Sequence, residues 1–431
     1  MLFNDRNEIV QDIKQRAILV GINSGRRDDI PIEESMEELK ELTRAAGAEV
    51  VDIVIQNKAK IDPAYFIGKG KAEEIKIMCT AYDVDTIIFN DELSASQMRN
   101  LEGILEVAII DRTTLILDIF ARRAETKEAK LQVEIAQLRY RLPRLVGLGR
   151  SLSRTGAGIG TRGPGEQKLE LDRRRILDRI SDIKKQIEEV KKNRDIQRAK
   201  RNKLQIPVVS LVGYTNAGKS TLMNKLLDLS LEQSESKKVY SEDLLFATLD
   251  TFHRKIVLDD KKEFILTDTV GFVSKLPHHL VDAFKSTLEE VVESDLLIHV
   301  VDSCNENFEM QIKVTNEVLK DLGALNKPMI YAFNKCDNGI RNTLAKTKDS
   351  VFISALTGYG IENLTQIIKE HLFKDMIKCK MLIPYEKGDI YSYLHENTKV
   401  YNIKYEANGT YLEVELNEAN YNRYKQYIIE A

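Results

Sequence analysis

Apolar and polar positions alternate along this chain with two periods, and the changes from one to the other mark its elements. Residues 17–21, 50–55, 86–89 and 107–110 are short apolar runs that read as strands. Residues 35–46 place Met36, Leu39, Leu42 and Ala46 on one helical face, and residues 71–80 read as a second helix. Strands alternating with helices predict a small parallel α/β sheet over residues 1–123. Over residues 124–203 apolar positions recur every three or four residues, at Leu131, Ile135, Leu138 and Leu142, then at Ile176, Ile180, Ile183, Ile187 and Val190. Two such stripes predict an antiparallel helical hairpin. Pro143 is expected to end its first helix, leaving a Gly/Arg-rich loop from about Arg144 to Gln167. Residues 204–373 return to strands (206–212, 264–268, 296–301, 329–333, 351–354) alternating with helices such as 220–229. Residues 380–431 predict a small α+β domain: a strand, a helix over 389–396, and a hairpin over 400–416 turning at Asn408-Gly409. Tyr421, Tyr424 and Tyr427 follow at helical spacing and read as core.

The chemistry concentrates in the third segment. Gly213-Tyr214-Thr215-Asn216-Ala217-Gly218-Lys219-Ser220 lies between a strand and a helix, the context in which a Gly-rich loop cradles phosphate. Its glycines let successive N–H groups converge on phosphate oxygens at the helix's positive end. Lys219 is expected to reach the β- and γ-phosphates, and Ser220, followed by Thr221, to ligate Mg²⁺. Asp268 ends a strand and is expected to hold the metal through water, while Thr269-Val270-Gly271 brings a backbone N–H to the γ-phosphate. Between these lies Phe246-Ala247-Thr248-Leu249-Asp250, a switch in which Thr248 closes over Mg²⁺ and the γ-phosphate, with Thr251 as its competitor. Lys219, Thr248 and Gly271 form the expected catalytic set.

Two later segments select the base. Asn334-Lys335-Cys336-Asp337 follows a strand, and the Asp337 carboxylate suits guanine's N1–H and exocyclic amine. Adenine offers neither donor there and would leave the acceptor unpaired. Ser354-Ala355-Leu356 supplies a loop whose backbone caps the base's O6. Each segment falls at a strand end, at successive intervals of 55, 66 and 20 residues from Gly213. GTP and GDP, with Mg²⁺, are the expected ligands. Asp302 reads as a strand terminus rather than a catalytic acid.

Charge adds a second partner. The formal net charge is −3, yet residues 122–203 hold 24 Lys+Arg against 11 Asp+Glu, or +13, leaving −16 elsewhere. Within that segment Arg139, Arg141, Arg144, Arg150, Arg154 and Arg162 occur with no acid between residues 135 and 165. Such a run points to a polyanion, and these six arginines are the candidate RNA contacts. The four cysteines are scattered without a CxxC, which excludes a disulfide framework or zinc site as the organising principle. No apolar stretch approaches a membrane span and the N-terminus reads as no signal peptide, so a cytoplasmic monomer is expected.

Taken together, GYTNAGKS, FATLD, DTVGF, NKCD and SAL resemble the HflX family of translation-associated GTPases, in the Obg-like branch of P-loop proteins. Residues 65–71 (YFIGKGK) and 158–166 (GIGTRGPGE) are similar to family signatures outside the nucleotide site. The resemblance implies a multidomain α/β fold with a P-loop GTPase domain, Mg²⁺-dependent hydrolysis, and binding to the large ribosomal subunit and its rRNA. It also implies a role in splitting or rescuing stalled ribosomes. Two departures matter. Thr251 stands where relatives usually carry Pro, and Phe272 stands where many place a water-orienting Gln, so unassisted hydrolysis is expected to be slow. Asn216 admits two readings, a residue satisfying its own turn or, as in some relatives, a ligand for K⁺.

Overall fold

The computed structural model describes residues 15–25, 30–152, 164–203, 206–230, 245–246, 252–275, 277, 285–339 and 348–430. The chain forms two compact units: residues 1–192 with 243–246 and 274–284, and residues 193–242 with 247–273 and 285–431.

The first unit opens with β1 (Arg16–Asn23), α1 (Ile32–Ala45), β2 (Glu49–Asn57), α2 (Lys69–Tyr82), β3 (Thr86–Phe89), α3 (Ala95–Leu105), β4 (Ala108–Asp111) and α4 (Arg112–Arg123). The strands pair in the order β2-β1-β3-β4, all parallel, so the expected small parallel sheet is present. Ile18, Val20, Ile87 and Phe89 project from it into a core closed by Ile75 and Leu101. Gly68 caps the start of α2 in extended backbone, which makes the GKGK run a helix-start turn. A capping box between Ser94 and Gln97 opens α3, and the Asp111 carboxylate opens α4 by accepting from the Thr114 N–H at 2.9 Å.

Two long helices follow, α5 (Lys127–Leu152) and α6 (Pro164–Lys203). Leu131 and Ile135 pack with Ile180 and Ile183, and the Arg179 guanidinium grips Glu134 through Nε at 2.6 Å and Nη2 at 2.8 Å, giving the expected hairpin. Pro143 does not end the first helix, as its sequence context suggested; α5 runs nine residues beyond it. Proline removes one backbone donor from this turn. The Arg144 side chain braces the same turn from outside, Nη1 donating to the Tyr140 carbonyl at 2.9 Å, while its guanidinium lies 3.3 Å from the Tyr140 ring centroid. Arg144 Nη2 also donates to the Leu93 carbonyl at 2.8 Å and pairs with Glu92 and the buried Asp111. This arginine is therefore held inside the first unit. A second buried cluster centres on Arg112, 2% exposed, which pairs with Glu38 and donates to Asn90 Oδ1 at 3.0 Å and Ser274 Oγ at 3.0 Å.

The second unit carries a six-stranded sheet in the order β10-β9-β8-β5-β7-β6. Its members are β5 (Val208–Val212), β6 (Phe252–Val257), β7 (Glu263–Asp268), β8 (Leu296–Asp302), β9 (Met329–Asn334) and β10 (Ser350–Phe352). All neighbours are parallel except the edge strand β6, which runs antiparallel to β7. Packed with it are α7 (Lys219–Asp228), α8 (Lys285–Glu293), α9 (Phe308–Asp321) and α10 (Ile361–Leu372). Val209, Leu211, Phe264, Leu266, Ile298, Val300, Ile330 and Ala332 are buried in one core with Leu222 and Leu226 of α7. The continuous apolar runs in the sequence thus reflect strands covered on both faces. The unit closes with an antiparallel sheet containing β11 (Ile377–Ile383), β12 (Val400–Glu406), β13 (Gly409–Leu416) and β14 (Ile428–Glu430), in the order β12-β13-β11-β14. Tyr424 is buried in its core with Tyr421 and Tyr427 packed beside it, as their spacing suggested.

Because Ile183 is fully buried where the two long helices meet, Ile183→Ala is expected to cost about 2–5 kcal/mol by leaving a cavity. Urea unfolding checks this; a loss below about 0.5 kcal/mol would show that the hairpin seam contributes little to stability.

Candidate nucleotide site

The carboxyl ends of β5, β7 and β9 bring together segments that lie far apart in the chain. After β5, Gly213 adopts φ 144°, and a Cβ there would meet the Val300 carbonyl oxygen at 2.2 Å. Gly218, at φ 92°, leaves no room for a side chain beside Asn334 Nδ2, which a Cβ would approach to 2.2 Å. Only glycine lets the loop turn this tightly against its neighbours. Between them Asn216 is exposed in the left-handed region at φ 59°, a conformation asparagine tolerates better than most residues. Thr215 Oγ1 is buried with no hydrogen-bond partner among the described residues, a donor left for a ligand oxygen.

Lys219 begins α7 and is 5% exposed. Its ammonium donates to the Gly213 carbonyl at 3.1 Å and the Tyr214 carbonyl at 2.9 Å. Burial pushes its pKa down to about 8, opposed by the charge of Asp268. A ligand that brings negative oxygens would replace weak carbonyl acceptors with charged ones. Next to it, Ser220 Oγ donates to Asp268 Oδ2 at 2.7 Å. A hydroxyl and a carboxylate in contact beside a phosphate loop make a hard oxygen donor set that fits Mg²⁺.

The DxxG segment closes over this pair. Thr215 N–H donates to the Phe272 carbonyl at 2.8 Å and Phe272 N–H to the Gly213 carbonyl at 3.2 Å. Gly271 sits so close that a Cβ would lie 2.8 Å from Lys219 Nζ and 2.8 Å from Thr215 Cα. Thr269 is anchored by its hydroxyl donating to the Leu211 carbonyl at 2.6 Å. Phe272 is itself 2% exposed, so its ring is core and offers a water molecule nothing.

Asn334 has a role beyond the one its motif implied. Its side chain is 2% exposed, and it donates to the Ala217 carbonyl at 2.8 Å while accepting from Ala355 N–H at 2.9 Å. It therefore ties the phosphate loop to the Ser354-Ala355-Leu356 loop. Lys335, at φ 63°, pairs with Asp302 Oδ2 at 2.9 Å, and Asp302 Oδ1 accepts from Cys304 N–H at 3.0 Å. Asp302, read from sequence as a bare strand terminus, steadies the turn that carries Asp337. Asp337 itself is exposed on a short 3₁₀ turn, free to meet a base, and Ser354 and Ala355 are buried while Leu356 is 77% exposed. His299 was missed altogether: buried in β8, it is held down at about 3 by burial and the nearby Lys219 charge, hence neutral.

Of the switch, Ala247, Thr248, Leu249, Asp250 and Thr251 lie outside the described residues. Phe246, the first residue of the switch, packs its ring edge-on against Phe120 at 4.6 Å within the first unit. Of the arginine set, Arg139 is half-buried and Arg141 exposed, Arg144 is engaged internally, the Arg150 side chain is not described, and Arg154 and Arg162 lie outside the described residues.

A mostly parallel sheet, a glycine-bent phosphate loop with its lysine and serine, an Asp-to-Gly segment and an Asn-Lys-Cys-Asp turn together define a P-loop GTPase. Four family models match in succession: "GTP-binding GTPase N-terminal" at residues 33–121, "GTP-binding GTPase Middle Region" at 123–201, "50S ribosome-binding GTPase" at 208–335 and "HflX C-terminal domain" at 339–426. The GTPase HflX of Caldanaerobacter subterraneus is 50% identical over 98% of this chain and 95% of its own length. Those of Lacrimispora saccharolytica and Alkalihalophilus pseudofirmus are 45% and 42% identical, covering 94% and 91% of this chain and 94% and 92% of their own. This chain belongs to the HflX family of GTPases.

Two measurements probe the site. Phosphates need the Lys219 ammonium, whereas burial favours the neutral amine, so nucleotide binding takes up a proton once pH exceeds about 8. Titration calorimetry should show the logarithm of GDP affinity falling towards one unit per pH unit above that point; a flat profile to pH 9.5 would contradict the buried-lysine assignment. Asp337→Asn should exchange guanine preference for xanthine, because an amide presents a donor where the carboxylate accepted. Unchanged GTP affinity in that variant would remove Asp337 from the base-reading site.

Proposed function

We propose that this GTPase binds the large ribosomal subunit in its GTP state, hydrolyses GTP faster there, and acts in splitting or rescuing stalled ribosomes. The observation that carries the reading is the burial of an apolar ring directly after Gly271. Phe272 has no polar side-chain atom with which to orient water, and its backbone is bonded to the phosphate loop. A partner that reorders this segment supplies what the isolated chain lacks. The match of residues 208–335 to a "50S ribosome-binding GTPase" family supports the large subunit as that partner.

In this reading Lys219 neutralises the β- and γ-phosphates, and Ser220, Thr248 and Asp268 are the residues that would hold Mg²⁺. Mg²⁺ held there would offset the negative charge of the phosphates. The Gly271 N–H reports the γ-phosphate. Three residues on, Ser274 belongs to the first unit, where it is bonded to Arg112 and Glu38. Nucleotide state at Gly271 is thus covalently close to a buried charged cluster of the N-terminal unit. The basic segment supplies affinity for rRNA, through Arg139, Arg141, Arg150, Arg154 and Arg162 rather than Arg144. Asn216, at the lip of the loop, marks where K⁺ would add positive charge; comparing turnover in K⁺ and Na⁺ buffers reads its contribution.

Purified large subunits are expected to raise GTP turnover at least about tenfold, equivalent to about 1.4 kcal/mol of barrier. A rate unaffected by subunits would favour a static, structural nucleotide instead. Neutral replacement of Arg150, Arg154 and Arg162 should flatten the salt dependence of subunit co-sedimentation, by up to about one log–log unit for each phosphate no longer neutralised. GDP affinity should stay within a few-fold of the parent. Full subunit binding by that variant would move docking away from the Gly/Arg-rich segment.

A further inference from the structure

Two thiols flank the turn that carries Asp337, and neither belongs to the nucleotide chemistry described above. Strands β8 and β9 run parallel with Asp302 opposite Asn334. Cys304 and Cys336 each stand two residues beyond that pair, where the sheet opens into loops. The Cys304 thiol bonds the carbonyl of the peptide link that leads into Cys336, which brings the two residues into one turn. The Cys304 thiol is seated in the turn itself, donating to the Lys335 carbonyl at 3.1 Å and the Gly339 carbonyl at 3.5 Å, the residues on either side of the Cys336–Asn338 3₁₀ turn. Both cysteines are partly exposed, unlike Cys79 and Cys379, which are buried. Burial and the Asp337 carboxylate keep the Cys336 thiol above its ordinary range, so at neutral pH this thiol is protonated.

We propose that Cys304 and Cys336 form a reversible disulfide under oxidant, and that this bond loosens the protein's hold on guanine nucleotides. With hydrogen peroxide as oxidant, one thiolate attacks a peroxide oxygen; the O–O bond breaks, and a proton completes a sulfenic acid and one water. The second thiol then attacks the sulfenyl sulfur, expelling a second water and forming the S–S bond, so two thiols lose two electrons to one peroxide. The new bond removes the Cys304 S–H from the Lys335 and Gly339 carbonyls and draws Cys336 towards Cys304. Asp337, the next residue, is turned with it. The Asp302 contacts to Lys335 and Cys304 hold the strand ends in place, so the displacement falls on the turn. This effect rests on Asp337 reading the base; formation of the bond does not.

The test uses the full chain treated with peroxide and then freed of it. Thiol titration of the unfolded protein should fall from four to two, and peptide mapping should join Cys304 to Cys336. GDP affinity should weaken by about tenfold or more, as expected when the carboxylate that hydrogen-bonds the base is misplaced, and dithiothreitol should restore it. Cys304→Ser keeps a donor for the two carbonyls, so it should bind GDP like the parent and ignore peroxide. Absence of the 304–336 peptide, or an equal affinity loss in Cys304→Ser, overturns the proposal. A bond that leaves GDP affinity unchanged, in a protein whose Asp337→Asn variant does lose guanine preference, overturns the coupling. If that variant keeps guanine preference while the bond forms, it is the base-reading assignment that fails.

Discussion

A buried ammonium governs this molecule. Lys219 is almost fully enclosed, held by two backbone carbonyls of its own loop and by the more distant charge of Asp268. Carbonyl dipoles compensate an ammonium only in part, and burial lowers the Lys219 pKa accordingly. Polyphosphate is the ligand that removes it, and much of the surrounding architecture keeps the ammonium where phosphate must come. Gly271 leaves no space between the DxxG segment and the lysine, Gly213 and Gly218 let the loop curl around it, and a parallel sheet with helical cover fixes all three.

From that centre the geometry extends outward through polar ties. Asn334 joins the phosphate loop to the loop that follows β10, so the phosphate and base ends of a nucleotide are registered by one buried amide. Asp302 does the same for the turn bearing Asp337, holding Lys335 and the Cys304 backbone at once. In the proposed site, guanine is read at two adjacent strand ends, β8 and β9, by the exposed Asp337 carboxylate.

Much of this was legible in the sequence because local and global signals agree: apolar runs ended in glycine or aspartate in the order the site requires. The parallel sheets, the hairpin stripes and the packed tyrosines of the tail follow from periodicity alone. What was not legible depends on partners distant in the chain. Pro143 looks like a helix terminus, yet α5 continues through it, with the Arg144 side chain bracing the turn on the Tyr140 carbonyl. The same arginine, one of a run of six, looks like a polyanion contact until Glu92, Leu93 and Asp111 are found around it. Phe246 carries no mark of its Phe120 neighbour, 126 residues away, and helices α3 and α4 have caps whose acceptors are recognisable only once folded. Asp302 and Asn334 show the same limit from the other side, since a residue that orders other residues leaves little pattern of its own.

The central claim is that the enclosed lysine and the Asp337 carboxylate together make a site for guanosine di- and triphosphates and for no adenine counterpart. Equilibrium competition of GTP, ATP and GMP against a fluorescent GDP analogue on the unaltered protein tests both halves at once. GTP should displace the probe at least about a thousandfold better than ATP, because adenine leaves the acceptor unpaired, and GMP should compete poorly for want of the β-phosphate that Lys219 meets. ATP competing within tenfold of GTP, or GMP matching it, would contradict the account.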